Sequence, residues 1–257
     1  MFAHRGGAKL APENTIPAFD NGMACRADGL ELDVHLSADG VPVVIHDTTV
    51  DRTTDGAGPV AVHMAAALAQ MDAGYHFTRD GEHSFRGRGI GVPTLDAVLA
   101  RFPTARAIIE MKGADPRLAH SVVQVVRHHR AEARVCLSAF QRVVVDAVRA
   151  EAPDIATSAS QGEARWTLHR SWVRWPFASP RPHAAFQVPE RVGRMRVVSP
   201  AFVRQAHREG QVVQVWVVDD PAAIRRLLDW GVDGLITDRP DVAVPVRDAW
   251  VAMTTVI

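Results

Sequence analysis

Gly29-Leu30-Glu31-Leu32-Asp33-Val34-His35 decides the reading of this chain. Its residues alternate apolar and polar, the two-residue period of a β-strand. Leu30, Leu32 and Val34 share one face, and Glu31, Asp33 and His35 share the other. The apolar face suits packing against helices. The acidic face then points into the lumen of a barrel, where two carboxylates repel each other unless something neutralises them. A hard divalent cation does this best, because carboxylate oxygens match Mg²⁺, Ca²⁺ or Mn²⁺. The bland alternative, a solvated Glu-x-Asp face on an antiparallel edge, has to be weighed against the rest of the chain.

Working outward, strand-like segments recur at 1–4, 29–35, 107–112, 134–138, 154–158, 183–187, 212–217 and 233–236. Helix-like segments fall between them at 15–26, 94–102, 116–130, 141–151, 162–175, 200–209 and 220–230. Ser199-Pro200 and Asp220-Pro221 read as N-cap followed by N1, and Gly210 and Gly231 sit where helices end. Alternating βα units imply a parallel sheet, and eight of them imply a closed (β/α)8 TIM barrel. The length of 257 residues suits one such domain over 1–257. Residues 36–46 read as a strand returning through an Asp39-Gly40 turn, which brings His46 back beside Glu31 and Asp33. Residues 47–91 are rich in Asp, Thr, Gly, Arg and His, with one weak helical stretch near 60–71. That is too long for a routine barrel loop, and it predicts an inserted subdomain over the catalytic mouth.

Composition narrows the function. Lys+Arg and Asp+Glu both number 29, so the chain lacks the basic excess of a nucleic-acid-binding domain. No run approaches the ~18–20 apolar residues of a membrane span. The first strand opens at Met1 with no charged start or apolar leader, which predicts a cytoplasmic chain without a signal peptide. Its shortness leaves room for residues upstream. Cys25 and Cys136 stand far apart without CxxC spacing and read as two buried free thiols, with a disulfide left open.

The chemistry-bearing residues cluster at strand ends. In Ala107-Ile108-Ile109-Glu110-Met111-Lys112, Glu110 can supply a third carboxylate to the same ion, and Lys112 an ammonium to a phosphate oxygen. Both lie at the C-terminal end of their strand, where barrels build active sites. His4-Arg5 and His46-Asp47 add two imidazoles and a guanidinium. Each motif alone is weak, and a lone His-Arg is more often surface. Together they can bind a divalent metal, hold a phosphate diester and move two protons.

These residues carry a resemblance. Ala3-His4-Arg5-Gly6-Gly7, Pro12-Glu13-Asn14-Thr15, Gly29-Leu30-Glu31-Leu32-Asp33-Val34 and Val44-Ile45-His46-Asp47 resemble the signature of the glycerophosphodiester phosphodiesterase family. The likeness continues through Pro93-Thr94-Leu95, Ile109-Glu110-Met111-Lys112, Val215-Trp216-Val217 and Gly231-Val232-Asp233-Gly234-Leu235-Ile236-Thr237-Asp238-Arg239-Pro240. It implies a TIM barrel with an insertion after the second strand. It implies a divalent metal (Ca²⁺ or Mg²⁺, with Mn²⁺ as a further choice) on Glu31, Asp33 and Glu110. It implies His4 and His46 as general acid and base, Arg5 and Lys112 on the phosphate, and hydrolysis of a small-molecule glycerophosphodiester to glycerol 3-phosphate and an alcohol. Glu13 and Asn14 lie in the matching motif, although Asn14 equally suits a cap for the helix beginning near Thr15. Trp216 is either a wall for the glycerol or a barrel-filling aromatic, and Gln187 is a candidate pocket residue. Val217 departs from the family pattern, where Thr is frequent.

Rival readings keep the fold. They are a lysophospholipase D-type enzyme acting on lysophospholipids, a phosphate-binding barrel without chemistry, and a metal-dependent sugar isomerase or aldolase. Two proton-moving histidines argue against the second, and their pairing with Arg5 argues against the third. Residues 162–182 interleave Trp166, Trp172, Trp175 and Phe177 with Arg165, Arg170, Arg174 and Arg181. That pattern suits lipid headgroups, but the commoner arrangement is a helix packed by its Trp face and solvated by its Arg face. His120, His128, His129 and His207 fall on helix surfaces, His63, His76 and His83 in the insertion, and His35 has no assigned role.

Overall fold

The computed structural model describes residues 1–172 and 182–254. The first half of the chain runs β1 (Phe2–His4), α1 (Ile16–Ala24), β2 (Gly29–Leu36), β3 (Pro42–Val44), α2 (Ala65–Leu68), α3 (Leu95–Arg101), β4 (Arg106–Met111), α4 (Pro116–His128) and β5 (Val135–Ser138). The second runs α5 (Arg142–Glu151), β6 (Ala156–Thr157), α6 (Gln161–Trp172), β7 (Ala185–Pro189), β8 (Arg191–Val192), β9 (Met195–Arg196), α7 (Pro200–Arg208), β10 (Val212–Trp216), α8 (Pro221–Asp229), β11 (Gly234–Thr237) and α9 (Pro240–Thr254).

Eight of these strands lie side by side in the order β6-β5-β4-β2-β1-β11-β10-β7. Every pairing along that order is parallel. A parallel bridge between Ser158 and Ala185 joins its two ends, so the sheet closes into a nearly complete barrel. The fold is the expected TIM barrel. The predicted return strand is β3, which pairs antiparallel with β2 through Val34 and Val44.

The period of β2 does what the sequence requires. Leu30, Leu32 and Val34 are buried in the layer between sheet and helices, among Phe19, Leu95, Leu118 and Val122. A one-residue slip would turn all three into the lumen, losing roughly 1.5–3 kcal/mol of apolar burial for each side chain. That term fixes the direction of Glu31 and Asp33. A second apolar cluster, including Phe186, Phe202, Val213, Val215, Ile224 and Leu235, backs the other half of the barrel.

The helix signals read at Ser199, Asp220 and Gly210 are met. Ser199 accepts from the Phe202 amide and Asp220 from the Ala223 amide, with Pro next in each case. Gly210 follows α7 at φ +74°, its N–H donating to the His207 carbonyl while Gln211 donates to Ala206, the paired closure of a left-handed cap. The sequence reading carries no helix after its last strand, and α9 is an addition. Pro245 lies inside it and contributes no amide donor.

Residues 47–91 contain a single 3₁₀ turn (Val60–Val62) and the four-residue α2. Val50, Val60, Ala65, Leu68 and Ala73 pack there with Val43, Ile45 and Val92. Cys25 and Cys136 are free and half-buried. Among the described residues no helix is long and apolar enough to cross a membrane.

The expected Trp-in, Arg-out packing of residues 162–182 holds for the exposed Arg165 but fails at Trp166, Arg170 and Trp172. Trp166 and Trp172 are 56% and 52% exposed, while Arg170 is 4% exposed and paired with Glu209. A buried carboxylate at the end of α7 attracts the guanidinium more strongly than solvent does. Arg174, Trp175, Phe177 and Arg181 lie outside the described residues.

Candidate active site

Strand register assembles the site. Parallel pairing sets His4 beside Glu31 and Asp33 beside Glu110. Paired strands run about 4.8 Å apart, so inward side chains in register have little choice but to meet. One oxygen from each of Glu31, Asp33 and Glu110 lies within 4.8 Å of the others. Three carboxylates this close in a buried place repel. Burial, then the Asp33 charge, pushes Glu31 up to about 8. Burial and Asp33 also raise Glu110. Burial works on Asp33 the same way, but Lys112 and Arg5 override it and hold Asp33 below its ordinary value. A trio that retains a proton near neutral pH has the donor chemistry of a hard-cation site. The residues present therefore fit a divalent metal.

Lys112 Nζ lies 2.5 Å from Glu110 Oε1 and 2.9 Å from Asp33 Oδ1. Arg5 Nε lies 3.1 Å from Asp33 Oδ2, and its Nη1 donates to Glu13 Oε1 at 2.8 Å. The Arg5 amide donates to Glu31 Oε2. Arg5 and Asn14 hold left-handed backbone at φ +49° and +58°. Such conformations in non-glycine residues are typical of functional sites, where surrounding contacts maintain them. Here the Asn14 amide donates to the Arg5 carbonyl. Asn14 Nδ2 donates to Asp33 Oδ2, and the Asp33 amide to Asn14 Oδ1. Asn14 thus holds one carboxylate of the acidic trio. The helix cap proposed for it belongs to Thr15, which accepts from Ala18.

Both predicted histidines are oriented by carboxylates. His4 Nδ1 lies 2.6 Å from Asp238 Oδ1, and His46 Nδ1 lies 2.6 Å from Asp47 Oδ1. A carboxylate only accepts, so each Nδ1 carries the proton and each Nε2 is left to exchange one. Burial lowers the His4 value, but the Asp238 bond and the Glu31 charge outweigh it, and the net shift is upward. Arg52 holds Asp47 well below the carboxylate range, and its other nitrogens reach both oxygens of Glu13. Glu13 thereby links Arg5 to Arg52. His35 Nε2 donates to the His46 carbonyl at 3.0 Å.

All of His4, Arg5, Glu31, Asp33, His46, Glu110 and Lys112 line one cavity of about 380 Å³. Its other wall is apolar, with Phe140, Leu168, Val188 and Trp216. Trp216 is half-buried and meets the Phe140 ring edge-on, so it walls the cavity and does not plug the barrel. Gln187 also lines the cavity, with its amide donating to Gln214 Oε1. Cys136 lies behind it, its thiol pushed up to about 12 by burial and therefore unreactive.

The sequence reading gave no role to Asp238, Asp47, Arg52 or His35. Asp47 had a signal, its adjacency to His46. Asp238 stood in a quoted segment, but 234 residues from its partner.

A model of the glycerophosphoryl diester phosphodiesterase family matches residues 4–242. A glycerophosphodiester phosphodiesterase of Caldanaerobacter subterraneus is 32% identical over 249 residues, covering 95% of this chain and 96% of that one. The crystal structure of an Agrobacterium tumefaciens glycerophosphodiester phosphodiesterase superposes with a TM-score of 0.77 at 31% identity, over 94% and 97% of the two chains. The glycerophosphoryl diester phosphodiesterase domain of a Mycobacterium tuberculosis protein reaches a TM-score of 0.84 at 26% identity, over 96% and 98%. With the match running through the strands that carry the acids and both histidines, the chain belongs to the glycerophosphoryl diester phosphodiesterase family and is a phosphoric diester hydrolase.

Proposed function

We propose that the chain hydrolyses a glycerophosphodiester to glycerol 3-phosphate and an alcohol, with His4 and His46 as the acid–base pair. The observation that carries this reading is the pair of carboxylate-oriented imidazoles on the same cavity as the acidic trio, Arg5 and Lys112. Glu31, Asp33 and Glu110 would hold a divalent cation, Ca²⁺ or Mg²⁺, which supplies charge stabilisation to the phosphoryl oxygens when bound. Arg5 and Lys112 hold the non-bridging oxygens. One imidazole Nε2 takes the proton of the attacking oxygen, from water or from the neighbouring glycerol hydroxyl; attack by the hydroxyl gives a cyclic phosphate, whose new P–O bond water then breaks to leave glycerol 3-phosphate. The phosphorus–oxygen bond to the alcohol breaks, and the other imidazole protonates the departing oxygen. Glu13 and Asn14 act by holding Arg5 and Asp33; Trp216 and Gln187 wall the substrate.

Residues 47–91 serve in this reading as an inserted subdomain at the catalytic mouth, from which Arg52 braces Asp47 and Glu13. The free cysteines suit a reducing compartment, and we place the enzyme in the cytoplasm. The apolar cavity wall favours one further reading, a lysophospholipid whose acyl chain lies along it.

Incubation with glycerophosphocholine followed by ³¹P NMR tests the proposal. Glycerol 3-phosphate with free choline is the expected outcome. No turnover, or cleavage to phosphocholine and glycerol, would overturn it. The same assay on lysophosphatidylcholine separates the two substrates.

A further inference from the structure

The β8–β9 hairpin, Arg191-Val192-Gly193-Arg194-Met195-Arg196, follows the C-terminal end of β7 and so stands on the catalytic face. Every one of its six residues is exposed. Val192 and Met195 are 55% and 43% exposed, yet both also line the catalytic cavity. Phe140, just beyond β5, does the same at 48%. The apolar wall thus continues outward from the chemistry and ends in solvent. Exposed apolar surface of this kind, ringed by polar groups, marks an interaction site.

Charge identifies the occupant. Among the described residues, Arg165, Arg191, Arg194 and Arg196 have no carboxylate partner. The nearest acid in sequence, Glu190, is taken by Arg226. Arg191 donates to the Arg194 carbonyl, which stiffens the turn, and Arg196 lies 5.2 Å over the Trp230 ring. In a chain whose net charge is zero, four unneutralised guanidinium groups lie on the cavity or the hairpin at its rim. Apolar tips flanked by arginine, with the exposed Phe140 on the same cavity, fit the boundary between headgroups and acyl chains of an anionic bilayer. A second protein copy would have to bring carboxylates to the same arginines.

We propose that this rim docks the enzyme on an anionic lipid surface, with Val192 and Met195 entering the interface and Arg191 and Arg194 on the headgroups, so that the cavity opens toward the membrane. Binding is independent of the assigned substrate and is read without turnover.

The test is flotation of the full chain with vesicles of phosphatidylcholine alone and with one-third phosphatidylglycerol. Binding should appear with the anionic vesicles, weaken at least tenfold in 0.5 M NaCl, and fall at least tenfold in R191E/R194E, as expected for charges near an anionic surface. That variant should keep kcat/KM on soluble glycerophosphocholine within about twofold, because neither arginine lines the cavity. V192D/M195D should also lose flotation. Equal flotation with neutral vesicles, no flotation at all, or binding untouched by R191E/R194E would overturn the proposal. So would light scattering that shows a dimer dissolved by V192D/M195D, because the face would then belong to a second copy.

Discussion

At the residue scale the site is a problem in like charge. Glu31, Asp33 and Glu110 were legible in the sequence because a period of two exposes any polar residue on an inward face. What holds them was not legible: Asn14 on Asp33, and Lys112 between Asp33 and Glu110, are contacts made by the fold. Glu31 makes the charge problem measurable. Its folded value of about 8 lies above the ordinary 4.5, so the folded protein binds the extra proton between those values. The metal-free enzyme should therefore lose stability as pH rises through that window. Cation affinity should climb over the same range, because the Glu31 proton must leave first. Tm in chelator and Ca²⁺ titration at pH 6 and 8.5 check this, each against Glu31→Gln, in which both slopes should flatten. Slopes unchanged in Glu31→Gln would remove Glu31 from the cation site. His46→Ala should lower kcat by at least about a hundredfold, the usual loss for proton transfer. A change of a few-fold would take His46 out of the mechanism.

At the element scale the strands were legible and their companions partly so. The βα units repeat one pattern, and most of their helices start on a Thr, Ser or Asp that accepts from a first-turn amide, as at Thr15, Thr94, Asp115, Ser199 and Asp220. The region 47–91 was legible only as a departure, since its apolar residues Val50, Val60 and Leu68 follow no period. The orientation of α6 was misread. Its tryptophans face solvent because the helix buries Leu168 and Arg170, and the ion pair with Glu209 depends on another helix. The turn after β1 shows how closely one element constrains another. Gly6 sits at φ +88°, and a Cβ there would come within 2.5 Å of the Ala18 carbonyl carbon in α1. Gly6→Ala should cost roughly 1–3 kcal/mol from overpacking, and more from strain. Thermal unfolding should show a Tm lower by several degrees; an unchanged Tm would mean that α1 is free to retreat.

At the scale of the whole molecule, the barrel makes neighbours of residues that the chain keeps apart. His4 opens it and Asp238 nearly ends it, yet β1 and β11 pair side by side. Closure therefore orients the first histidine, while the β2–β3 return and its Asp47–Arg52–Glu13 brace orient the second. No local pattern announces such a brace, because Glu13 lies 39 residues from the Arg52 that it pairs with. Catalysis on this reading rests on the acidic trio, which would hold one divalent cation in the cavity that both imidazoles line. Turnover of glycerophosphocholine by exhaustively chelated enzyme, before and after Ca²⁺ or Mg²⁺ is returned, tests it most directly. Activity should vanish with the metal and come back with its return, whereas undiminished turnover in chelator would contradict the account.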